Sequence, residues 1–403
     1  MTINQAVVLA AGEGSRMRPL TYTRPKAMLP LANQPILEHL LIALRQSGIS
    51  DVAIIVGYHD EQIRNYCGDG SRWNLHISYY QQTQQLGTAD ALRMVAGLLK
   101  DDFIMANGDA LLSSRDIRRL CEKSGNIMSV RELDDVSQFG VVEVRGDRVC
   151  RIHEKSQNPP SHLANAGLYR FTPEIFSAIA RTEKSPRGEY ELTDSIQALI
   201  DSNQPVNYQI LEQWLDFSYP WDLLAANEKI LGSLEPHNLG QIEPNVTIKG
   251  NISIGRGTLI RSGAYIVGPV IIGDNCDIGP NCYLRPATSI GNNCHIGAFV
   301  ELKNSIVMSG TKVPHLNYVG DSILGENCNL GAGTKIANLK LNKKNIHINQ
   351  RDTGRRKLGA IIGDKVETGI NASINVGSLI GNNTFIGPGA LASGNIAPGS
   401  KIF

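Results

Sequence analysis

The chain has 403 residues and a formal net charge of +1, from 39 basic and 38 acidic side chains. This length predicts two or three domains that each bury a core, and the near-neutral charge argues against a bulk nucleic-acid binder. No apolar run approaches the roughly 18 residues of a membrane span, and the N-terminus lacks the charged segment and cleavage site of a signal peptide. We therefore expect a soluble cytoplasmic protein that binds neither nucleic acid nor a membrane.

Residues 1–232 alternate apolar, β-rich runs with helical patterns. The predicted strands are AVVLAAG, VAIIVGY, HISYYQQ, FIMANGD and IMSVREL. The predicted helices are PILEHLLIALRQSG, TADALRMVAGLL, RDIRRLCEKSG and YELTDSIQALIDSN. This alternation predicts a Rossmann-like α/β domain with a largely parallel sheet and helices on both faces.

The first predicted strand is followed by a long polar loop, LAAGEGSRMRPLTYTRPK, rather than by a helix. Gly12 and Gly14 allow the backbone to bend tightly and approach a ligand, so that consecutive N–H groups can hold phosphate. Arg16 and Lys26 supply the positive charge that a triphosphate requires. The loop has neither the G-K-[ST] ending of a Walker loop nor the third glycine of the dinucleotide fingerprint.

Residues 233–403 follow a six-residue repeat that predicts a second domain. An aliphatic residue recurs at every sixth position from Ile248 to Leu302, and the repeat returns from Ile362 onward. A six-residue unit is a short strand plus a turn, and three units form one triangular coil of a parallel β-helix. The segment EKILGSLEPHNLGQIEP is the predicted linker. Cys276, Cys282 and Cys294 precede repeat residues by two positions and read as small packing side chains, since no C-x-x-C pair indicates a metal site.

Between the two regular runs the repeat is interrupted, and a set of polar residues lies in or near the interruption. If successive coils bring their corners into register, these residues could line one groove; they are Arg285, Lys303, His315, Tyr318, Asn329 and Asn338. A histidine in such a place is more often structural, but a neutral imidazole is well suited to take a proton from an attacking amine. We expect that the repeat breaks in order to point His315 into a groove.

The N-terminal half resembles the sugar-1-phosphate nucleotidylyltransferases, through L-A-A-G-x-G-x-R…P-K and motifs that follow in order. The resemblance implies that Arg16 and Lys26 are catalytic and that Asp109 and Asp216, in N-G-D and W-L-D, bind Mg²⁺. It implies a nucleotide site made by Leu9, Ala11, Gly12, Gly14, Gln82, Gly87 and Thr88. It also implies a sugar site made by Gly140, Glu154 and Asn165. The attack of a sugar phosphate on the α-phosphate needs positioning and charge neutralisation rather than a nucleophilic side chain.

The C-terminal half, with L-R-P…E-x-K…H-L-x-Y-V-G-D…N-L-G-A-G-T…N, resembles the acetyltransferase half of the bifunctional glucosamine-1-phosphate acetyltransferase/N-acetylglucosamine-1-phosphate uridyltransferases. The resemblance implies a left-handed β-helix and assigns His315 as the general base that deprotonates the hexosamine amine. Arg285 and Lys303 would then hold the sugar phosphate. Tyr318 and Asn329 would contact the sugar, and Asn338 would help to orient the groups at the reaction centre. Ala332 would contact acetyl-CoA.

Two features depart from the bacterial members of this family. Asp216 stands where they have asparagine, which is closer to thymidylyltransferases and to the archaeal form, so either UTP or dTTP fits. The basic segment 340–360 is also unlike the bacterial loop. It reads either as a solvated loop or as a set of phosphate contacts to coenzyme A or to the sugar phosphate.

The leading hypothesis is a bifunctional enzyme that N-acetylates glucosamine or galactosamine 1-phosphate and couples the product to a uridylyl group. The alternative is a single-activity thymidylyl- or uridylyltransferase whose β-helix serves assembly only. A non-catalytic sensor is disfavoured because Arg16, Lys26, Asp109 and Asp216 are all present. The family further implies a homotrimer, or a dimer of trimers, with acetyl-CoA bound between subunits.

Overall fold

The computed structural model describes residues 3–154 and 159–403, and its backbone divides into two compact units. The first unit comprises residues up to Glu13, Arg24–Met28 and Pro35–Asp216. The second comprises Gly14–Thr23, Leu29–Gln34 and Phe217–Phe403. In the described part of the chain, no helix is long and apolar enough to cross a membrane.

The first unit is built on a mixed sheet of nine described strands. In chain order they are β1 Gln5–Ala10, β2 Asp51–Val56, β3 His76–Gln81, β4 Phe103–Asn107, β5 Asn126–Glu132, β6 Gly140–Arg145, β7 Arg148–Glu154, β8 Leu163–Phe171 and β9 Val206–Ile210. Their order across the sheet is β3-β2-β1-β4-β8-β5-β9-β7-β6. The strands β1 to β4 pair in parallel, as the sequence predicts. Beyond β4 the sheet is largely antiparallel, because β8 runs against both β4 and β5 and β7 runs against β6 and β9.

Helices cover both faces of this sheet and enclose two apolar cores. The helices are α1 Ile36–Gln46, α2 Asp60–Cys67, α3 Thr88–Arg93, α4 Ser114–Cys121, α5 Ile175–Ile179 and α6 Leu192–Asp201, with α7 Asp222–Leu231 in the second unit. Val7 and Val8 of β1 point into opposite cores, as the alternation of side chains along a strand requires. Shorter elements are the one-turn helices Ser15–Met17, Leu20–Tyr22, Lys26–Met28 and Ser71–Trp73 and the strands Pro30–Leu31, Gln34–Pro35, Ala110–Leu112 and Trp214–Asp216.

The predicted helix over residues 88–99 is shorter than expected. The α-helix ends at Arg93, and the chain continues through tighter turns in which Val95 N–H donates to the Leu92 carbonyl and Leu98 N–H to the Val95 carbonyl. Helix α2 and the antiparallel strands between Gly140 and Phe171 were not predicted. Their side chains are too polar or too mixed to give a clear period.

The second unit is a parallel β-helix with three faces, each a ladder of short strands. The first face contains His237–Asn238, Ile252–Ile254, Val270–Ile272, Thr288–Ile290, Ile306–Val307, Ile323–Leu324, Ala360–Ile362, Ser378–Ile380 and Asn395–Ile396. The second contains Gln241–Ile242, Leu259–Ile260, Asp277–Ile278, His295–Ala298, Lys312–His315, Asn329–Leu330, Glu367–Thr368, Phe385–Ile386 and Lys401–Ile402. The third contains Thr247–Lys249, Tyr265–Val267, Tyr283–Leu284, Glu301–Lys303, Tyr318–Gly320, Lys335–Ile336, Ser373–Ile374 and Leu391–Ala392.

The repeat residues fill a single core along the axis of the β-helix. Ile254, Ile272 and Ile290 stack in register on the first face and are buried. The cysteines two positions before repeat residues are buried in the same core, as the spacing predicts. Burial of these side chains from every coil supplies the apolar stabilisation that a short strand lacks by itself.

The six-residue repeat is interrupted at a different position from His315, where we expected the break. Ile272 pairs with Ile290 eighteen residues later, but Ile290 pairs with Val307 and Val307 with Leu324, each seventeen residues later. The missing residue lies at the corner between the third and first faces, while the six-residue spacing from Val313 to Val319 is intact. The expectation that the repeat breaks at His315 is therefore wrong.

The same corner accommodates the basic segment. Strand Lys335–Ile336 ends one coil, and the next first-face strand begins only at Ala360. Between them the chain leaves the coil and forms an antiparallel hairpin in which His347–Ile348 pairs with Arg351–Asp352. The segment is thus a folded excursion from the coil.

Helix α7 is fixed to the β-helix through the buried Asn227. Its side-chain oxygen accepts hydrogen bonds from Ala32 N–H at 2.9 Å and from Ser289 Oγ at 2.7 Å. Its amide donates to the Ala287 carbonyl at 3.1 Å. Because every polar atom of this buried amide has a partner, the contact specifies one position for the helix.

Candidate active sites

The two carboxylates predicted to bind metal lie together in the first unit. Strand Ala110–Leu112 pairs with Trp214–Asp216, so that Ala110 lies opposite Asp216 and Asp109 is its neighbour. Lys26 Nζ stands 2.7 Å from Asp109 Oδ2 and 3.8 Å from Asp216 Oδ1. The lysine side chain is only 12% exposed. Lys26, at the end of the polar loop, therefore forms one cluster with Asp109 and Asp216.

This cluster fits a magnesium ion that is completed by its substrate. Within residues 3–154 and 159–403, no group of three or more His, Cys, Asp and Glu side chains is arranged to hold a metal by itself. Mg²⁺ commonly takes one or two carboxylates, with the remaining positions filled by water and phosphate oxygens. Asp109 and Asp216 keep 33% and 24% of their side chains exposed, which leaves oxygen atoms accessible.

The polar loop is shared between the two units. Leu9, Ala11 and Gly12 belong to the first unit, where Leu9 carbonyl accepts a hydrogen bond from Gly108 N–H at 2.9 Å. That bond ties the strand preceding the loop to the residue before Asp109. Gly14 belongs to the second unit and has a φ of 67°, a value that glycine adopts without strain. Arg16 follows in the one-turn helix Ser15–Met17 of the second unit.

The predicted base-reading segment is fixed by its own side chains. The buried Gln82 donates from Nε2 to the Gly87 carbonyl at 3.1 Å and to Asp90 Oδ2 at 2.8 Å. Gly87 has a φ of 107°, and a Cβ there would stand 2.5 Å from the Tyr190 carbonyl oxygen. Thr88 Oγ1 accepts the Leu192 N–H at 3.0 Å. In this structure the Gln82 amide therefore holds the Gly87 turn.

The three predicted sugar-binding residues lie together at one end of the mixed sheet. Gly140 pairs with Glu154 across β6 and β7, and a Cβ at Gly140 would meet Glu154 Oε1 at 3.0 Å and the Asn165 Cβ at 3.8 Å. Glu154 also accepts a hydrogen bond from Thr193 Oγ1 at 3.0 Å, and Asn165 Oδ1 accepts one from Tyr169 Oη at 2.8 Å. A glycine at position 140 keeps the surface open beside the carboxylate.

Two acidic side chains lie near Glu154: Asp194 in helix α6 and Glu191 directly before it. Burial raises the pKa of Glu191 above its ordinary value, and it raises the pKa of Asp194 likewise. The nearby charge of Glu154 adds to both shifts, while Arg187 opposes them. Arg187 lies 3.4 Å from Glu154 Oε2 and 2.9 Å from Glu191 Oε1. This arginine therefore compensates a locally negative end of the sheet.

On the third face of the β-helix, a polar network joins three of the predicted acetyltransferase residues through Asp321. The carboxylate of Asp321 is 4% exposed, and its Oδ2 accepts hydrogen bonds from Lys303 Nζ at 3.1 Å and Asn338 Nδ2 at 2.6 Å. Asn338 Nδ2 also lies 3.1 Å from Tyr318 Oη. A Cβ at Gly320 would stand 2.6 Å from both Tyr318 Oη and Asn338 Nδ2, so glycine there makes room for the network.

Arg285 lies on the same face and is held by Glu301. Its Nη1 donates to Glu301 Oε1 at 2.8 Å, and this bond is the main reason why the pKa of Arg285 is raised. Glu301 is in register with Tyr318 on the next coil. Burial raises the pKa of Tyr318, so its phenol stays protonated at neutral pH. Arg285, Lys303, Tyr318 and Asn338 therefore belong to one face.

His315 ends the neighbouring second-face strand, at the corner that leads to the third face. Its side chain is exposed, and it lies in register with Ala298 one coil earlier. Its carbonyl accepts a hydrogen bond from Gly333 N–H at 3.0 Å, which places Ala332 beside the same corner one coil later. Asn329 lies on the second face, opposite Lys312. The polar network and the histidine corner are thus adjacent. Asn329 is in register with Lys312, at the other end of the strand that His315 ends.

Two acidic residues of the site were not among the predicted site residues, although both stand inside the motifs. Glu301 belongs to E-L-K and Asp321 to Y-V-G-D. The signal that could identify Asp321 is its position: it turns a shortened corner with a φ of 50° and is buried, where an ionised carboxylate requires partners.

Known protein families match both halves of the chain. The nucleotidyl transferase family matches residues 5–233, and the GMPPB C-terminal domain family matches residues 266–370. A bifunctional protein GlmU of Methanococcus maripaludis is 40% identical over 99% of this chain and 97% of its own length. A bifunctional sugar-1-phosphate nucleotidylyltransferase/acetyltransferase of Sulfurisphaera tokodaii is 37% identical over 98% of each chain.

Among solved structures, the chain is similar to a Bacillus anthracis protein assigned as a glucose-1-phosphate thymidylyltransferase. The two share 28% identity with a TM-score of 0.53, and the match covers 58% of this chain and 97% of that one. The nucleotidyl transferase match spans the mixed-sheet half, whereas the two bifunctional relatives extend across the β-helix as well.

Proposed function

The chain belongs to the family of bifunctional sugar-1-phosphate nucleotidylyltransferase/acetyltransferases, and we propose that it makes a UDP-N-acetylhexosamine from a hexosamine 1-phosphate in two steps. The first step is transfer of an acetyl group from acetyl-CoA to the amine of glucosamine or galactosamine 1-phosphate. The second is transfer of a uridylyl group from UTP to the N-acetylated sugar phosphate, with release of pyrophosphate. Relatives that match along the full length favour this function over a single nucleotidylyltransferase activity.

The observation that carries the acetyltransferase half is the network around Asp321. A scaffold needs no buried carboxylate that orients a lysine, an amide and a phenol on one face. In the proposed reaction, His315 takes the proton from the hexosamine amine, which attacks the acetyl-CoA thioester directly. Arg285 and Lys303 hold the sugar phosphate, Tyr318, Asn329 and Asn338 hold the sugar and the reaction centre, and Ala332 contacts acetyl-CoA.

For nucleotidyl transfer, Asp109 and Asp216 would hold Mg²⁺, which when bound neutralises charge on the nucleotide phosphates. Lys26 stands between the two carboxylates and is positioned to exchange them for phosphate oxygens. Arg16 and the Gly12–Gly14 backbone would bind the departing pyrophosphate. The turn that Gln82 fixes around Gly87 would receive the base, and Gly140, Glu154 and Asn165 would receive the sugar. Acceleration then comes from alignment and electrostatic stabilisation.

The exposed corner beside His315 supports an oligomer. Phe299 and Leu316 occupy this corner on successive coils, and their side chains are 63% and 56% exposed. Large apolar side chains next to a proposed catalytic residue are typical of a surface that another subunit covers. We propose a homotrimer, alone or as a dimer of trimers, in which this corner faces the neighbouring copy and acetyl-CoA binds at the junction. We retain the cytoplasmic location as a prediction from the sequence.

The test is conversion by the purified full-length protein of glucosamine or galactosamine 1-phosphate, acetyl-CoA, UTP and Mg²⁺, followed by chromatography of the sugar nucleotides. The proposal expects UDP-N-acetylhexosamine only when all four components are present, and N-acetylhexosamine 1-phosphate when UTP is left out. Replacement of UTP by dTTP measures the choice of base. Pyrophosphate release without any N-acetylation of either amine would instead support the single-activity alternative.

A further inference from the structure

The aliphatic ladder inside the second face of the β-helix contains one threonine, Thr368. The other inward residues of this ladder are Ile242, Ile260, Ile278, Ile296, Val313, Leu330, Ile386 and Ile402. Thr368 pairs with Leu330 on one side and with Ile386 on the other, and it is 6% exposed. A buried hydroxyl is costly unless it is hydrogen-bonded, so a threonine at this aliphatic position requires a physical reason.

A second column of the core becomes polar in neighbouring coils. The residue directly before a third-face strand accepts, through its carbonyl, a hydrogen bond from the preceding coil. In chain order from the second coil these residues are Ala264, Cys282, Val300, Asn317, Thr334, Ala372 and Ala390, and all are buried. The two polar members, Asn317 and Thr334, belong to the coils that carry His315 and Ala332. The polar part of the core therefore coincides with the proposed acetyl-transfer corner.

Thr334 and Thr368 form a closed ring of hydrogen bonds with Gly331. The Gly331 N–H donates to Thr368 Oγ1 at 2.9 Å, and Thr334 Oγ1 donates to the Gly331 carbonyl at 2.8 Å. The two hydroxyl oxygens lie 2.7 Å apart. Each hydroxyl has a single proton, and that of Thr334 goes to the carbonyl, so the Thr368 hydroxyl is the donor between the two. Side chains of the core thus hold both polar groups of the Gly331 backbone.

The ring fixes a turn that is connected to the proposed acetyl-transfer site. Ala332, which we assign to acetyl-CoA, follows Gly331 directly. The next residue, Gly333, donates its N–H to the His315 carbonyl at 3.0 Å. Because the turn is bonded to the strand that ends at His315, a shift of Gly331 would displace Ala332 relative to the histidine.

We propose that Thr368 is a positioning residue for acetyl-CoA, which acts by holding the turn 331–333 in the orientation that Ala332 needs to contact the acetyl donor. This role rests on the proposed function, in which acetyl-CoA binds at Ala332. It accounts for a threonine at a ladder position where burial of apolar surface alone favours isoleucine. The hydroxyl of Thr368 orders a turn at the site, at the expense of apolar packing in the core.

Two substitutions test the proposal: Thr368→Val removes only the hydroxyl, and Thr368→Ile restores the ladder. Binding of coenzyme A to the full-length protein, measured by calorimetry, should weaken by about fivefold or more in both, the scale expected for the loss of one hydrogen bond. The KM for acetyl-CoA should rise in parallel, while the KM for glucosamine 1-phosphate should stay within about twofold. The temperature of unfolding should not fall, because an apolar side chain fits the ladder. Thr368→Ser, which keeps the hydroxyl, should bind coenzyme A like the wild type.

Thr384→Val is the matched control. Thr384 is a buried threonine of the β-helix whose Oγ1 donates to the Gly381 carbonyl at 2.7 Å, at the corner between the first and second faces. Coenzyme A binding that Thr368→Val and Thr368→Ile leave unchanged would overturn the proposal. Equal weakening in Thr384→Val would also overturn it, because the effect would then be a general one of core polarity.

The same measurements separate this role from the proposed function. Weaker binding of coenzyme A in Thr368→Val, in a protein that acetylates neither glucosamine nor galactosamine 1-phosphate, would count against the proposed function and not against the role of Thr368. A wild type that does not bind coenzyme A would overturn both.

Discussion

Asp321 and Asn338 lie seventeen residues apart on successive coils, and their side chains meet at 2.6 Å, from Asn338 Nδ2 to Asp321 Oδ2. The same oxygen lies 3.1 Å from Lys303 Nζ, and Oδ1 accepts a bond from Asn304 Nδ2 at 2.9 Å. One buried carboxylate thus orients side chains from the coils before and after its own. The geometry gives Asp321 a positioning role for residues that we assign to the hexosamine phosphate.

Asp321→Asn should therefore lower acetyl transfer by about tenfold or more, since about 1.4 kcal/mol of lost orientation corresponds to a factor of ten. It should also destabilise the fold by about 3 kcal/mol, because Lys303, whose side chain is only 19% exposed, loses its counter-charge. Acetyl-CoA turnover and thermal unfolding measure the two effects. The control is Asp277→Asn, which removes an exposed partner of Arg261 and should leave thermal unfolding close to that of the wild type. Equal effects of the two substitutions would contradict this account.

Lys26→Ala should lower pyrophosphate release by about 10²–10³-fold, the usual cost of removing one preorganised group that stabilises transition-state charge. Acetyl transfer should remain within about twofold of the wild type, since Lys26 belongs to the other proposed site. Both activities can be assayed on one preparation, with the exposed Lys100→Ala as control. Parallel loss of both activities would indicate unfolding instead of a local role.

Gly87→Ala should destabilise the first unit by about 2 kcal/mol, because φ is 107° and the new Cβ would meet the Tyr190 carbonyl. The turn that Gln82 holds would shift, so the KM for UTP should rise. Gly97→Ala is the control, since a Cβ there meets nothing within 4 Å. Thermal unfolding and UTP saturation curves of the two variants measure the difference. Equal behaviour would show that the turn tolerates a side chain.

Glu191→Gln should change the pH dependence of stability. Burial raises the pKa of Glu191 above 4.5, so the folded protein holds this proton more tightly than the unfolded chain does. The free energy of unfolding of the wild type therefore falls as pH rises from about 4.5 through the raised pKa. Relative to the wild type, Glu191→Gln should gain stability as the pH rises from about 4.5 through the raised pKa of Glu191. Glu183→Gln, at an exposed site in the same segment, should show no such trend. Constant differences for Glu191→Gln would refute the cause assigned here.

The regular parts of the chain could be predicted from the sequence because their signals are local. The six-residue period gave the β-helix, and the alternation of apolar runs gave β1 to β4. The antiparallel strands between Gly140 and Phe171 could not be predicted, since their pairing depends on partners distant in sequence. The same limit applies to Lys26, Asp109 and Asp216, whose motifs were identified individually but whose distances depend on the ribbon between Ala110 and Asp216.

The polar network around Asp321 illustrates a second limit of prediction from the sequence. Its motif was visible, but its importance arises from burial at a shortened corner, and a change of one residue in spacing gives a weak signal. His315 was expected to point into a groove because the repeat breaks there, and that reason is wrong. The repeat is intact there, and the histidine reaches the surface because the strand Lys312–His315 extends to the corner.

The central claim is that the β-helix is catalytic and that His315 is its base. The most direct test is free-thiol release from acetyl-CoA with glucosamine 1-phosphate, for the wild type, His315→Ala and the control His295→Ala, which changes a second-face histidine one coil earlier. The account predicts release that requires the sugar phosphate, falls about 10²–10⁴-fold in His315→Ala and is retained in His295→Ala. No release with glucosamine or galactosamine 1-phosphate, from protein that still frees pyrophosphate from UTP, would contradict it.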